Sequence, residues 1–280
     1  MNGLEHISHA FANARAEGRA ALMPYFTLGY PTPEDSLTIL QAIAEAGADL
    51  IELGIPFSDP LADGPTIQRS TQVALERGMT VGRALEIIAE LRSCQVHQPL
   101  LLMGYYNPIL AYGVERFVRQ AASAGVDGFI IPDLPPEEAA DMEAACRVSQ
   151  CALVYLLAPT STTERTADIA VRTSGFIYLV SVVGVTGMRE SLATDLESFL
   201  NRARRASNVP VAVGFGISTP DQAQIVGRLA DGVIVGSALI EAVSGSDRPA
   251  EAAARFVRSL CSALEPEPAR LKTRREKRAE

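Results

Sequence analysis

Two rhythms alternate along this chain. Short runs of nearly unbroken apolar residues are separated by longer stretches in which apolar residues return at every third or fourth position. The short runs lie at 21–29 (ALMPYFTLG), 50–53, 99–104, 128–133, 152–159, 176–181, 209–216 and 231–237. Each is bounded by Gly, Pro or Asp, the signature of a strand buried on both faces. Between the first two, Leu37, Leu40, Ile43 and Ala44 mark one face of a helix that opens at Pro33 and Glu34 and stops at Gly47. The same spacing predicts helices over 65–77, 81–91, 109–124, 163–172, 195–206 and 221–229. A further helix opens at Pro135-Pro136-Glu137-Glu138 by the proline-then-acid rule. Ahead of the first strand, Leu4, Ile7, Ala10, Phe11 and Ala14 predict an amphipathic helix over 2–17.

Eight strand-then-helix units in about 250 residues predict a (β/α)₈ TIM barrel with an extra N-terminal helix, one domain over 1–265. A doubly wound open sheet is the alternative, disfavoured because no G-x-G-x-x-G turn follows the first strand. Three helix-to-strand junctions echo one another: Ala46-Gly47-Ala48-Asp49, Ala124-Gly125-Val126-Asp127 and the shorter Ala230-Asp231-Gly232.

Composition narrows the function more than the fold. The net charge of −8 over 280 residues argues against a broad nucleic-acid surface. No apolar run reaches about 18 residues and no secretory signal precedes the first helix, so a cytoplasmic protein without a membrane span is expected. Cys94, Cys146, Cys151 and Cys261 form no C-x-x-C pair, which speaks against a metal site. Residues 266–280 carry Arg270, Lys272, Arg274, Arg275, Lys277 and Arg278 and read as a basic, solvated tail.

In a barrel of this kind the active site forms where the strands end at their C-termini. Glu52 stands inside the second strand, where another Ile or Val would be usual, and Ser58, Asp59 and Asp63 follow in a loop stiffened by Pro56, Pro60 and Pro65. Burial among Ile51, Leu53 and Ile55 raises a carboxyl pKa and suits Glu52 to proton exchange near neutrality; a paired structural acid is the alternative. Asp63 is either a second acid/base group or a turn residue beside Gly64. Tyr105, Tyr106 and Asn107 follow the third strand, Asp133 the fourth, and Tyr178 lies in the sixth. Glycine corners follow the last strands at Gly214-Phe215-Gly216 and Gly236-Ser237-Ala238, the second of them starting another helix, with Gly187 in the loop after the sixth strand. Backbone amides at such corners suit a phosphate, although the same glycines would also serve tight turns.

ELGIPFSDPLADGPTIQ (52–68) resembles the signature of the tryptophan synthase alpha chain. PYFTLGYP (24–31), MGYYNP (103–108), PDLPPEE (132–138), GVTG (184–187), GFGIS (214–218) and VGSAL (235–239) follow in that family's order. The resemblance implies a lyase of tryptophan biosynthesis that splits indole-3-glycerol phosphate into indole and glyceraldehyde 3-phosphate. It makes Glu52 the catalytic acid and Asp63 the acceptor of the indole N–H. Tyr178 becomes a wall of the site, Thr186 a lid residue, and Gly187, Gly216, Gly236 and Ser237 the phosphate cradle. It further implies no cofactor in this subunit, and a pyridoxal-phosphate beta chain as partner in an alpha2beta2 heterotetramer, with indole passing through a tunnel and Pro56 and Asp59 facing the partner. Tyr25 departs from the phenylalanine often found beside the indole ring. Two other readings stay open: a catalytically weak, phosphate-binding regulatory subunit of a partner enzyme, and another barrel enzyme of indole or sugar-phosphate metabolism.

Overall fold

The computed structural model describes residues 1–180, 189–214 and 216–266, residues 189–195 by their backbone alone. Thr186 and Gly187 lie outside the described residues, as does nearly all of the basic tail. Nine parallel strands run β1 (Ala21–Thr27), β2 (Ile51–Gly54), β3 (Leu100–Met103), β4 (Gly128–Ile130), β5 (Ala152–Val154), β6 (Leu156–Leu157), β7 (Ile177–Val180), β8 (Val211–Gly214) and β9 (Gly232–Val235). Their order in the sheet is β5-β4-β3-β2-β1-β9-β8-β7-β6. The two ends of that order, β5 and β6, are halves of one stretch, so the chain itself closes the ring and the fold is the expected TIM barrel.

The expected fifth strand is split at Tyr155, whose N–H turns to Thr173 Oγ1 at 3.2 Å. That single side-chain acceptor accounts for nine strands where the apolar pattern predicts eight. The helix expected over 109–124 is likewise two, α5 (Tyr106–Tyr112) and α6 (Val114–Ala124), parted at Gly113, whose φ of +93° no helix can hold. Within 135–149 a 3₁₀ turn (Pro136–Glu138) precedes α7 (Ala140–Ser149). The remaining helices are α1 (Gly3–Ala16), α2 (Pro33–Glu45), α3 (Pro65–Glu76), α4 (Val81–Ser93), α8 (Thr163–Arg172), α9 (Arg189–Ala206), α10 (Pro220–Gly227), α11 (Ser237–Val243) and α12 (Pro249–Leu264).

Two apolar layers follow from the strand alternation. Leu22, Phe26, Ile51, Leu53, Leu102 and Phe129 face outward into the shell under the helices, while Met23, Tyr25, Leu101, Met103, Ile130, Tyr178 and Ile234 fill the barrel interior. Helix α1 plugs the N-terminal end of that interior with Ile7, Ala10, Phe11 and Ala14. Asn2 fixes its start through a capping box with Glu5.

The echoed junctions acquire a structural meaning at this same end. Asp49, just before β2, accepts from Leu22 N–H of β1 at 2.8 Å and from both Nη atoms of Arg19 at 2.6 and 2.8 Å. Asp127, before β4, accepts from Leu100 N–H of β3 at 2.8 Å and from Arg92 at 2.7 Å, and bonds His6 at 2.9 Å. Asp231, before β9, accepts from Val211 N–H of β8 at 3.0 Å and from Arg15 at 3.1 Å. One device recurs three times. The aspartate before a strand ties down an amide at the start of its neighbour, with an arginine as counter-charge.

Candidate active site

At the opposite end, Glu52 is the charged residue the barrel interior does not satisfy. It sits on β2 in register with Tyr25 of β1 and Leu101 of β3, and only 1% of its surface reaches solvent. Neither carboxylate oxygen has a hydrogen-bond partner among the described residues. Desolvation, with a smaller contribution from the charge on Asp63, pushes its pKa up to about 8. A carboxyl in that state is an acid at neutral pH and can give up a proton to a group brought against it.

Asp63 reaches the same space from the loop between β2 and α3. Burial raises its carboxyl to about 6, and a hydrogen bond with the Tyr105 phenol offsets part of that rise. Tyr105 also accepts from Ala62 N–H at 2.9 Å and stacks on Phe57, ring centroids 5.2 Å apart. The aspartate-bearing loop is therefore pinned, at its acid and at two points before it, to Tyr105 just beyond β3. Ser58 and Asp59 point elsewhere, bonding each other at 2.5 Å on the exposed part of the loop. Asp133 is used up locally, accepting from Tyr106 N–H at 2.9 Å.

A cavity of about 580 Å³ joins these groups. Glu52, Asp63 and Tyr178 line it together with Gly216, Gly236 and Ser237, so the described candidates share one space at the C-terminal end of the strands. Tyr25, Ile67, Met103 and Ile234 supply an apolar wall, the environment a flat aromatic ring requires. The Tyr178 phenol, buried and beside Glu52, is held far above its ordinary range by desolvation and by that charge. Tyr25 fits its extra hydroxyl in by lying against Gly54, where an added Cβ would come within 2.1 Å of the phenol oxygen. That oxygen stands 3.4 Å from Thr27 Oγ1, which is bonded to Ser70 at 2.7 Å.

Another depression of about 840 Å³ gathers His6, His9, His97 and Asp127 at the N-terminal end. Its acid is already committed to Arg92 and Leu100 N–H, so it offers structure rather than chemistry. Among the described residues no group of three or more His, Cys, Asp or Glu could hold a metal ion, and no helix is long and apolar enough to cross a membrane.

The sequence pattern of the tryptophan synthase alpha chain matches residues 11–267. This chain belongs to that family. It is similar to the tryptophan synthase alpha chain of Chloroflexus aggregans, with 49% identity over 265 residues, 94% of this chain and 99% of that relative. The Roseiflexus castenholzii alpha chain is 51% identical over 260 residues, 92% and 99% of the two chains. The structure of the alpha subunit from Legionella pneumophila superposes with a TM-score of 0.86 at 36% identity, covering 94% of this chain and 98% of that one.

Within this alpha chain, motif reading alone passes over Met103, Ile67, Ile234, Gln222 and Glu241, all of which line the cavity. Ile67 carried a usable signal, since it lies in the first turn of the helix that follows Asp63. Gln222 and Glu241 carried none, because a polar residue one turn into a helix reads as solvated surface until the barrel closes around it.

Proposed function

We infer that this alpha chain cleaves indole-3-glycerol phosphate to indole and glyceraldehyde 3-phosphate through acid/base chemistry at Glu52 and Asp63. The observation that carries the reading is a buried carboxyl without a hydrogen-bond partner among the described residues, pushed to about 8, sharing one cavity with glycine corners suited to a phosphate. Breaking the carbon–carbon bond directly would expel indole as a carbanion. Glu52, protonated at neutral pH, instead gives its proton to the ring carbon that bears the glycerol chain. Asp63, ionised, accepts the indole N–H and stabilises the positive charge that develops on the ring. The Glu52 carboxylate then takes the proton of the adjacent substrate hydroxyl. As that O–H electron pair forms the aldehyde carbonyl, the carbon–carbon pair returns to the ring and indole leaves.

The apolar wall of Tyr25, Met103 and Ile234 receives the indole, and Tyr178 packs beside Glu52. The phosphate rests on the amides of Gly216 and Gly236 and on Ser237, with Gly187 completing the cradle and Thr186 closing over it. Proton donors and acceptors are all this chemistry asks of the chain; pyridoxal phosphate belongs to the beta chain. The catalytic unit spans 1–265, and the basic stretch of 266–280 is no part of it.

As an alpha chain the protein has a beta-chain partner, and we place the docking surface of a cytoplasmic alpha2beta2 assembly on the rim around the Asp63 loop. There Leu61 is 93% exposed and Leu110, on the neighbouring α5, 57% exposed, the apolar contacts a partner surface would cover. Asp59 is exposed on the same loop, whereas Pro56 is buried and contributes shape rather than contact. Indole release by the purified chain, alone and with a beta chain, tests both halves. Turnover of the wild type and a loss of at least about 10² in Glu52→Ala is expected. Normal release by a folded Glu52→Ala protein would remove the mechanism, and an unaltered rate on mixing would remove the partnership.

A further inference from the structure

The cavity that holds Glu52 and Asp63 has a third carboxylate at its other end. Glu241 lines it alongside Gly216, Gly236 and Ser237. Ser237 opens α11 and Glu241 stands four residues on, so the two side chains share one helix face, about 6 Å apart at Cβ. The carboxylate is oriented, although exposed. Thr66 Oγ1, buried at the start of α3, donates to Glu241 Oε1 at 2.9 Å. Arg69 reaches the oxygen of Thr66 at 3.3 Å, which sets that cation behind the hydroxyl. None of the described residues lining the cavity is a lysine or an arginine. An anion arriving at this corner meets amides, hydroxyls and a fixed negative charge.

We propose that Glu241 sets the affinity for the phosphate by charge repulsion, weakening the hold on the substrate and on the departing sugar phosphate alike. The proposal rests on the phosphate being held at Gly216, Gly236 and Ser237. That phosphate is remote from the bond that breaks, so its binding is nearly the same in substrate, transition state and product. Weakening such uniform binding raises KM and hastens product departure while leaving the chemical step alone. A dianion one helical turn from an exposed carboxylate, in a water-like dielectric with partial screening, is disfavoured by about 3–10-fold in dissociation constant.

Glu241→Gln keeps an oxygen for the Thr66 hydroxyl and removes only the charge. Steady-state indole release and titration with inorganic phosphate, each at about 0.01 M and about 1 M added salt, read the effect. At low salt the variant should lower KM and the phosphate dissociation constant about 3–10-fold, with a smaller change in kcat, and the gap should close at high salt. Thr66→Val keeps the charge and removes the bond, so it should not reproduce the gain. An unchanged KM in Glu241→Gln, a gain that survives high salt, or the same gain in Thr66→Val overturns the proposal. Ser237→Ala guards the underlying reading. If it leaves phosphate binding intact, the phosphate site itself is misassigned. If it weakens phosphate binding while Glu241→Gln does nothing, only the role of Glu241 fails.

Discussion

Glu52 should cost the fold stability in proportion to how well it serves as an acid. In the unfolded chain its carboxyl ionises near the ordinary value of 4.5, whereas in the folded barrel it holds its proton to about 8. The raised folded value means that its contribution is fully present below pH 4.5 and is lost as pH rises toward 8, because the unfolded state gains ionisation that the folded state is denied. At about 1.4 kcal/mol per pKa unit, the interval from pH 5 to pH 8 removes about 3 kcal/mol, after which the loss levels off. Glu52→Gln deletes this titration. The buried amide carries its own desolvation cost, but that cost does not vary with pH. Denaturant unfolding of both proteins from pH 5 to pH 9 therefore isolates the effect as a drift in their difference, with the variant gaining on the wild type until about pH 8. Turnover in the same variant should fall by about 10²–10⁴. A stability difference that stays flat across that range would show that Glu52 titrates alike in both states, and with it would go the physical basis for calling it an acid at neutral pH.

The proposed mechanism requires Glu52 protonated and Asp63 ionised, so kcat/KM should rise through about 6 and fall through about 8; a profile flat from 5 to 9 would contradict both assignments. Tyr105→Phe removes the acceptor of Ala62 N–H and the bond that lowers the Asp63 carboxyl. The acid limb of the same profile should then move to higher pH, with kcat/KM down about 10-fold. Asp127→Ala leaves the half-buried guanidinium of Arg92 and the Leu100 N–H without their carboxylate. A loss of about 3–5 kcal/mol in denaturant unfolding is expected, with the pH profile of the remaining activity unmoved because the site lies at the other end of the barrel.

Much of this architecture is legible in the residues because α/β alternation is written in local pattern. A buried parallel strand is a short apolar run, and Pro33, Pro65 and Gly47 punctuate the helices where they do in space. What escaped has particular causes. The break at Tyr155 depends on Thr173, eighteen residues away, and no window of local sequence contains it. Helix α12 opens with Pro249 and carries Ala253, Val257, Leu260 and Leu264 along one buried face, a pattern that counting strand-and-helix units up to the eighth strand stops short of. At the site, Glu52 is conspicuous because an acid interrupts an apolar run. Tyr105 shows its part only when the loop folds back and sets the Ala62 N–H against its phenol oxygen.

The two ends of the barrel treat the same functional group in opposite ways, and the contrast supports placing the proposed chemistry at the C-terminal end. At the N-terminal end Asp49, Asp127 and Asp231 each receive a strand amide and an arginine. Satisfied acids of this kind anchor strand starts, each held by an ionic partner at hydrogen-bond distance. At the C-terminal end Glu52 lies at the same depth as the apolar core, with neither oxygen satisfied among the described residues. A designer concerned only with stability would replace it with leucine. Keeping an unsatisfied acid there makes sense only if something that visits the cavity completes it, and an aromatic carbon awaiting a proton is such a visitor. On the proposed mechanism the reactive end of this fold is the one where the described residues supply the acid no partner.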